Sequence, residues 1–422
     1  MGLVTSICWA KINPQVVAID TNQELISKLQ QGILEISEGE QKLEEPKLTK
    51  LFNSNKANYL PTTDFNKIST ASLVFFTKDT PTDGIGSQKE LIQLFRKSIP
   101  NFKQNVAIIL MSQVEVGTCR KLIKLIKSQR PSLNFNFYHW VDTIIMTSAV
   151  ERFLNPERII IGKADKKPVN PVIQKCLKLF NCPVFYMSYE SAEITKAFIN
   201  LYLANTVTYA NTLSDYCEAF GANINDIIPA LKSDKRIGPL AYLKPTLSIA
   251  GGHLERDINM LDKIAVRAKM KSSLIKTIIS LNNKRYLWVK DKIVNLPKLK
   301  NDKFKICIWG LSYKKGSTST KNAASLKIIR LLKSKSNISV YDPIAIIPRS
   351  VSGYTRFTSP YEAATNADCL IILTDWNEFK AIDYHKLASI LHKPNIIDAV
   401  GLLTPGNKLT GFNYQCIGVG SV

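Results

Sequence analysis

The sequence predicts an α/β protein of two doubly wound domains joined by a long helix, and three observations carry that reading. Short β-branched runs alternate with helical segments in the first third, a helical periodicity of some thirty residues follows, and strands return after residue 295. In the first part, VVAID (16–20), SLVFFT (72–77), NVAIILM (105–111) and RIIIG (158–162) are continuous apolar runs. Runs of that kind suit parallel strands buried on both faces. TNQELISKLQQG and GTCRKLIKLIKSQ read as helices between them, the first with a Thr or Asn cap.

From Ser188 the stretch SAEITKAFINLYLANTVTYANTLSDYCEAFG keeps apolar positions at helical spacing until Gly221. A helix this long suits a central spacer or a dimerisation helix. More helix is expected between Arg256 and Lys290. NLPKLKND (295–302) is a polar, Pro-containing boundary, after which FKICIWG, ISVYDP, DCLIILTDW and NIIDAVG read as strands and SLKIIRLLKSK as a helix. The expected division is therefore 1–187, a helical 188–294, and 295–422.

The chain of 422 residues is long enough for two or three cores, and 45% hydrophobic with 21% charged residues is ordinary for a soluble globular protein. No apolar run approaches the roughly 18 residues that span a bilayer. The start, MGLVTSICWAKINP, has no basic leader and matches the loose M-G-x-x-x-S pattern for acylation at Gly2. Eight cysteines without C-x-x-C spacing read as free thiols in a reducing cytosol, so a cytoplasmic location is expected. The four histidines lie near no cysteine in a ligand spacing, and no metal is expected.

Net charge is +22; of 56 basic residues 44 are Lys, and Lys263 to Lys305 holds 13 basic residues against two acids. The reading favoured is a solvated Lys-rich face, with neither nucleic acid nor membrane as partner. The cations are not interleaved with stacking aromatics, and no nucleic-acid motif occurs. A surface for an anionic polymer or lipid is a third reading, which predicts steep salt dependence.

VVAID ends in Asp20, and an acid at the end of such a strand can accept both hydroxyls of an adenosine ribose. The G-x-G-x-x-G loop that lets backbone approach a pyrophosphate is absent before it. The motifs then accumulate. MGLVTS looks like the tail of a GxGYVGLVT loop, with Gly2 as third glycine. TPTDGIG (80–86), SQVEVGT (112–118), AVERFLNPERIIIG (149–162), AEITKAFIN (192–200), RIG (236–238), GLSYKKGS (310–317), VYDP (340–343) and LTDWNEF (373–379) follow in order. Together they resemble the UDP-glucose/GDP-mannose dehydrogenase family over nearly the whole length.

The resemblance implies an N-terminal Rossmann-like NAD domain lacking its first strand, a central helix forming a homodimer, and a Rossmann-like C-terminal domain holding a UDP- or GDP-sugar. The family oxidises the sugar's C6 alcohol twice, to the acid, with two NAD. Hydride departure needs a base for the alcohol proton and a cation for the developing alkoxide; reaching the acid needs a thiolate that adds to the aldehyde.

By resemblance Lys196 takes the place of the alkoxide-stabilising lysine, Asn200 of the asparagine one turn on, and Asp257 of the aspartate that assists proton transfer. Gly2, Asp20, Thr80, Thr118 and Arg256 fall where the cofactor is bound, and Arg236, Lys314 and Lys321 where the substrate is; Arg236 would meet it across the dimer. Asp142 keeps one of two family glutamates as a carboxylate, while Met146 replaces the other.

Other positions depart further. In SIAGGHLERDINML (248–261) the family's cysteine position is His253 counting back from Asp257, or Leu254 counting from the glycine pair. His253 is either a general base or a hydrogen-bonded turn residue. No cysteine lies between Cys217 and Cys307, and Val400 stands where the family has a substrate arginine. Two readings follow: an NAD-dependent dehydrogenase limited to the aldehyde, or a catalytically silent dimeric scaffold or regulator that binds a nucleotide sugar.

Overall fold

A computed structural model of the chain describes residues 2–12, 15–34, 41–78, 87–144, 148–164, 168–249, 253–296, 304–403 and 409–420. The chain divides into two compact units, Met1–Ile199 and Asn200–Val422.

The first unit opens with α1 (Gly2–Ile12), β1 (Val16–Ile19), α2 (Gln23–Gln30), α3 (Gln41–Ser54), β2 (Tyr59–Thr62) and β3 (Leu73–Phe76). It continues with α4 (Ser87–Ser98), β4 (Val106–Leu110), α5 (Thr118–Gln129), β5 (Phe135–Trp140), α6 (Ala149–Leu154), β6 (Ile159–Gly162), α7 (Pro171–Leu177) and β7 (Val184–Met187). The boundary between units falls inside α8 (Tyr189–Ala219). Asn22 caps α2, its side chain accepting from the Leu25 N–H.

The strands form two sheets, β1-β2 and β3-β4-β5-β6-β7. Among the described residues β1 pairs only with β2, and β3 only with β4. The consequence shows in burial: every residue of β4 is buried, whereas β1 has none buried and β3 only Phe76. The sheet is not wholly parallel, because β5 runs antiparallel to β6 through His139↔Gly162 and Trp140↔Ile161. α1 is anchored by Trp9, whose ring lies 5.2, 5.8 and 5.9 Å from Phe75, Phe153 and Phe180. Gly162 lets α8 settle on β6: a Cβ there would meet the Ala192 Cβ at 2.7 Å.

The second unit continues from α8 through α9 (Ile224–Ser233), α10 (His253–Arg267), α11 (Ser273–Arg285) and α12 (Leu287–Val294). Then come β8 (Phe304–Trp309), α13 (Ala324–Leu332), β9 (Ser336–Tyr341), β10 (Thr355–Arg356), α14 (Pro360–Ala364) and β11 (Cys369–Ile372). α15 (Asn377–Lys380), α16 (Tyr384–Ile390), β12 (Asn395–Asp398) and β13 (Asn413–Cys416) complete it. The sheet is β10-β9-β8-β11-β12-β13, parallel throughout. Strand order reverses between β8 and β11, the place where open α/β sheets leave a crevice beyond the strand ends. Gly310 follows β8 there at φ 92, and a Cβ on it would fall 2.6 Å from Thr374. Buried Asp342, just past β9, gathers the surrounding loops by accepting from the N–H groups of Leu311 (2.7 Å) and Ala345 (2.7 Å) and from the Trp376 ring (3.2 Å).

No helix among the described residues is long and apolar enough to cross a membrane.

Candidate active site

In the first unit the predicted residues gather at strand ends and helix starts. Gly2 heads α1, and a Cβ on it would lie 3.2 Å from the Thr77 Oγ1, a tight contact that a glycine avoids. Asp20 follows β1 directly and is exposed; its Oδ1 accepts from the Asn22 N–H at 2.9 Å. Thr118 is the first residue of α5 and is buried, its hydroxyl donating to the Glu115 carbonyl at 2.6 Å. Asp142, two residues past β5, is half-buried and accepts from the Ile144 N–H at 2.8 Å. Thr80 and Met146 lie outside the described residues.

Sequence reasoning passed over the residue that ties this region together. Glu193 on α8 is 1% exposed and accepts from the Gly117 N–H at 2.6 Å and the Cys119 N–H at 2.7 Å. Its carboxylate thus caps the positive end of α5 with charge-assisted bonds. Burial nevertheless pushes its pKa up. The same burial, and then the charge of Glu193, push the Cys119 thiol well above its ordinary value. Arg120 clasps Glu190 of α8 by two bonds, of 2.7 and 3.3 Å. Lys196 lies three residues beyond Glu193 on α8 and is half-buried. The AExxK spacing was the available signal for Glu193, but its partners are more than seventy residues away in sequence.

In the second unit the structure brings three predicted residues together. Asn200 donates Nδ2 to Asp257 Oδ2 at 2.5 Å, and Arg256 donates Nε to Asp257 Oδ1 at 2.8 Å. Asp257 is wholly buried and Asn200 is 6% exposed. A guanidinium and an amide thus serve the two oxygens of this enclosed carboxylate, the pairing that burial of such a group demands. Arg256, expected at the cofactor, is therefore tied to its neighbour in the chain. His253 is the first residue of α10; its side chain lies outside the described set.

The substrate-side residues are more dispersed. Arg236 is highly exposed and folds back on Asp234 through bonds of 3.0 and 2.6 Å. The Lys314 ammonium sits 5.6 Å from the centre of the Tyr313 ring. Lys321 lines a cavity of about 540 Å3 with Ser319, Thr320, Lys327 and Arg330. Its lining holds three cations and no carboxylate, and includes Ala323, the N-cap of α13, which has no capping side chain. Helix N–H groups together with cations suit phosphate oxygens. Next to it, Asn322 donates to Glu255 on α10, two residues before Asp257. Lys327 and Arg330 escaped the sequence reading because their helical spacing looks like that of any exposed face.

Three family models match the chain in order: the NAD binding domain of the UDP-glucose/GDP-mannose dehydrogenase family over residues 1–180, its central domain over 190–284 and its UDP binding domain over 307–405. The chain belongs to the UDP-glucose/GDP-mannose dehydrogenase family. A UDP-glucose 6-dehydrogenase of Rhizobium meliloti (strain 1021) is 27% identical over 99% of this chain and 97% of its own length. TuaD, a UDP-glucose 6-dehydrogenase of Bacillus subtilis (strain 168), is also 27% identical, over 99% and 91%. Among solved structures, a UDP-glucose dehydrogenase of Pyrobaculum islandicum superposes with a TM-score of 0.82 at 19% identity, covering 99% of this chain and 95% of that one. A UDP-N-acetylmannosamine dehydrogenase of Pyrococcus horikoshii gives 0.82 at 21%, covering 99% and 96%. These likenesses support the fold of two Rossmann-like domains and a long central helix.

As a member of this nucleotide-sugar dehydrogenase family, the chain has NAD as its cofactor. The first unit fits that cofactor. α1 opens on a glycine whose Cβ would crowd the Thr77 hydroxyl, which favours the bare backbone that approach to a pyrophosphate uses, and Asp20 is exposed at the end of β1, the strand position that suits ribose hydroxyls.

Proposed function

We propose that this family member oxidises the C6 alcohol of a UDP- or GDP-linked sugar with NAD and stops at the aldehyde. The observation that carries the reading is the buried Asn200–Asp257–Arg256 group. Asp257 fixes the Asn200 amide, whose oxygen is then the group set to receive a sugar hydroxyl. Lys196, one turn earlier on α8, supplies the cation for the developing alkoxide. Asp257, with His253 or Asp142, takes the proton. Bound NAD supplies the acceptor for the C6 hydride.

The stop at the aldehyde follows from thiol chemistry. Further oxidation by the family's route needs a thiolate. The chain has no cysteine between Cys217 and Cys307. In the second unit Cys217, Cys307, Cys369 and Cys416 are buried, and burial raises the pKa of each.

On this reading residues 1–187 hold NAD through Gly2, Asp20, Thr80 and Thr118, residues 188–294 form the dimer, and residues 295–422 hold the nucleotide. Lys321 and the other cavity cations take the diphosphate, with Lys314 beside it. Support for a homodimer comes from α8, where Tyr202, Tyr209 and Tyr216 recur every seven residues and are 63, 51 and 63% exposed. Such a repeat lays one aromatic stripe along a helix. Arg236, exposed on its own subunit, would reach the partner's substrate. The free thiols suit a cytoplasmic location.

The test is a titration with NADH, following nicotinamide fluorescence with and without a panel of UDP- and GDP-sugars. Saturable binding with Kd near the micromolar range, about −8 kcal/mol, is expected. Single-turnover NAD reduction should then yield aldehyde and not acid, and Asp257→Asn should lose it. Absence of NADH binding by the folded protein would sink the dehydrogenase reading and leave the scaffold role.

A further inference from the structure

The turn between α10 and α11 carries a cluster that the dehydrogenase reading does not use. Val266, Met270 and Leu274 are 60, 65 and 55% exposed. Lys263, Arg267, Lys269, Lys271 and Lys276 are all exposed around them. Not one acid occurs between Lys263 and Lys290. Lys263, Val266 and Arg267 follow the i, i+3, i+4 spacing of a single helical face, and Met270 lies just past the end of that helix. The opposite face of α10 is buried through Ile258, Leu261 and Ala265.

The turn is held rigidly. The Met270 N–H donates to the Ala265 carbonyl at 2.8 Å and the Lys269 N–H to Val266 at 3.1 Å, the paired bonds of a Schellman ending. In that motif the residue after the left-handed position usually packs back on the helix; here it is Met270, and it points outward. The left-handed position itself, φ 55, is Lys269, where glycine is cheaper. Asp262, the nearest acid in sequence before the turn, accepts from the Ser272 hydroxyl at 2.8 Å and so fixes the start of α11.

We propose that this turn docks the protein on a bilayer surface rich in anionic lipid headgroups. Aliphatic tips that enter the acyl boundary, ringed by cations that meet headgroup phosphates, are what such a surface recognises. Nucleic acid would call for stacking aromatics, and the turn has none. Two copies facing each other through it would bring five cations against five.

Co-sedimentation of the full chain with phosphatidylcholine vesicles, with and without phosphatidylglycerol, tests this. Binding should require the anionic lipid and fall steeply with salt. Lys269→Gly with Lys271→Ser relieves the left-handed strain while removing two charges; partition should fall about thirtyfold, at about 1 kcal/mol per cation. Met270→Ser should lower it several-fold more. NADH binding by each variant should be unchanged, which separates this outcome from failure of the dehydrogenase reading.

Equal binding to neutral vesicles, or partition unmoved by the charge variant, overturns the proposal. Binding to single-stranded RNA that needs the lysines but ignores Met270→Ser would make the turn a nucleic-acid surface instead. A change of oligomeric state in Met270→Ser would make it a contact between copies.

Discussion

Replacing Glu193 by Gln tests whether a buried carboxylate holds α5 to α8. Both oxygens are committed, one to the Gly117 N–H at 2.6 Å and the other to the Cys119 N–H at 2.7 Å. A glutamine has a single acceptor oxygen and must turn an NH2 toward the other donor. One charge-assisted bond is lost, and a backbone N–H is left unpaired in a site that water does not reach. Each such loss costs about 1.5–3 kcal/mol, and part of it is recovered as the carboxylate's own desolvation disappears, leaving about 2–4 kcal/mol. With a urea dependence of about 2 kcal/mol per molar, the midpoint of the first unit's unfolding should drop by about 1–2 M. Far-UV circular dichroism with tryptophan fluorescence reads this, since Trp9 and Trp140 belong to the first unit. A midpoint unchanged by Glu193→Gln would refute the argument, because the two short bonds would then contribute nothing net.

Two further outcomes rest on the same unit. Trp9→Ala should cost about 3–5 kcal/mol by emptying the ring cluster, whereas Trp9→Phe should cost much less, because the buried indole N–H has no partner among the described groups; urea midpoints of the pair decide it. His139 is fully buried with Nδ1 2.9 Å from the Leu110 carbonyl, and burial lowers its pKa from 6.5 to about 4. The unfolded chain then binds the extra proton first, so this stabilisation is complete above pH 6.5 and is lost as pH falls toward 4. The loss amounts to about 3 kcal/mol. His139→Phe should flatten the part of the midpoint–pH slope in that window, and an identical slope in both proteins would refute the assignment.

What the sequence disclosed of the fold follows from the range of the forces involved. The apolar runs at 105–111 and 158–162 appear as β4 and β6 because strands buried on both faces admit nothing but apolar residues. α8 was legible from its spacing to within two residues of its end. β2, β5 and β7 were not. YLPT carries a proline, FNFYHW mixes polar residues into a strand whose first two positions are half-buried, and VFYM has no residue fully buried. α1 also escaped. Its residues Val4, Thr5, Ile7, Cys8, Trp9 and Ala10 are all buried, so no polar face marks a helical period. The antiparallel step from β5 to β6 is a matter of chain path, which periodicity does not encode.

The site divides along the same line. Positions on one helix were readable: Asn200 stands one turn after Lys196, and Asp257 follows Arg256 on α10. Their pairing was not, because Asn200 meets Asp257 across 57 residues and Glu193 meets Gly117 across 76. Local spacing can nominate residues, but only the packing of α8 on α10 and on α5 makes carboxylates the shared partners of groups far apart in the chain. α8 thus carries a buried hydrogen-bonded contact on each side of the proposed alkoxide-stabilising lysine: Glu193 three residues before it and Asn200 four residues after. Within the first unit, Glu193 holds the start of α8 on α5 three residues before the lysine, and a proposed cation for a developing alkoxide depends on such fixed placement. In the second unit the contacts that orient Asn200 and Asp257 are made with each other and with Arg256.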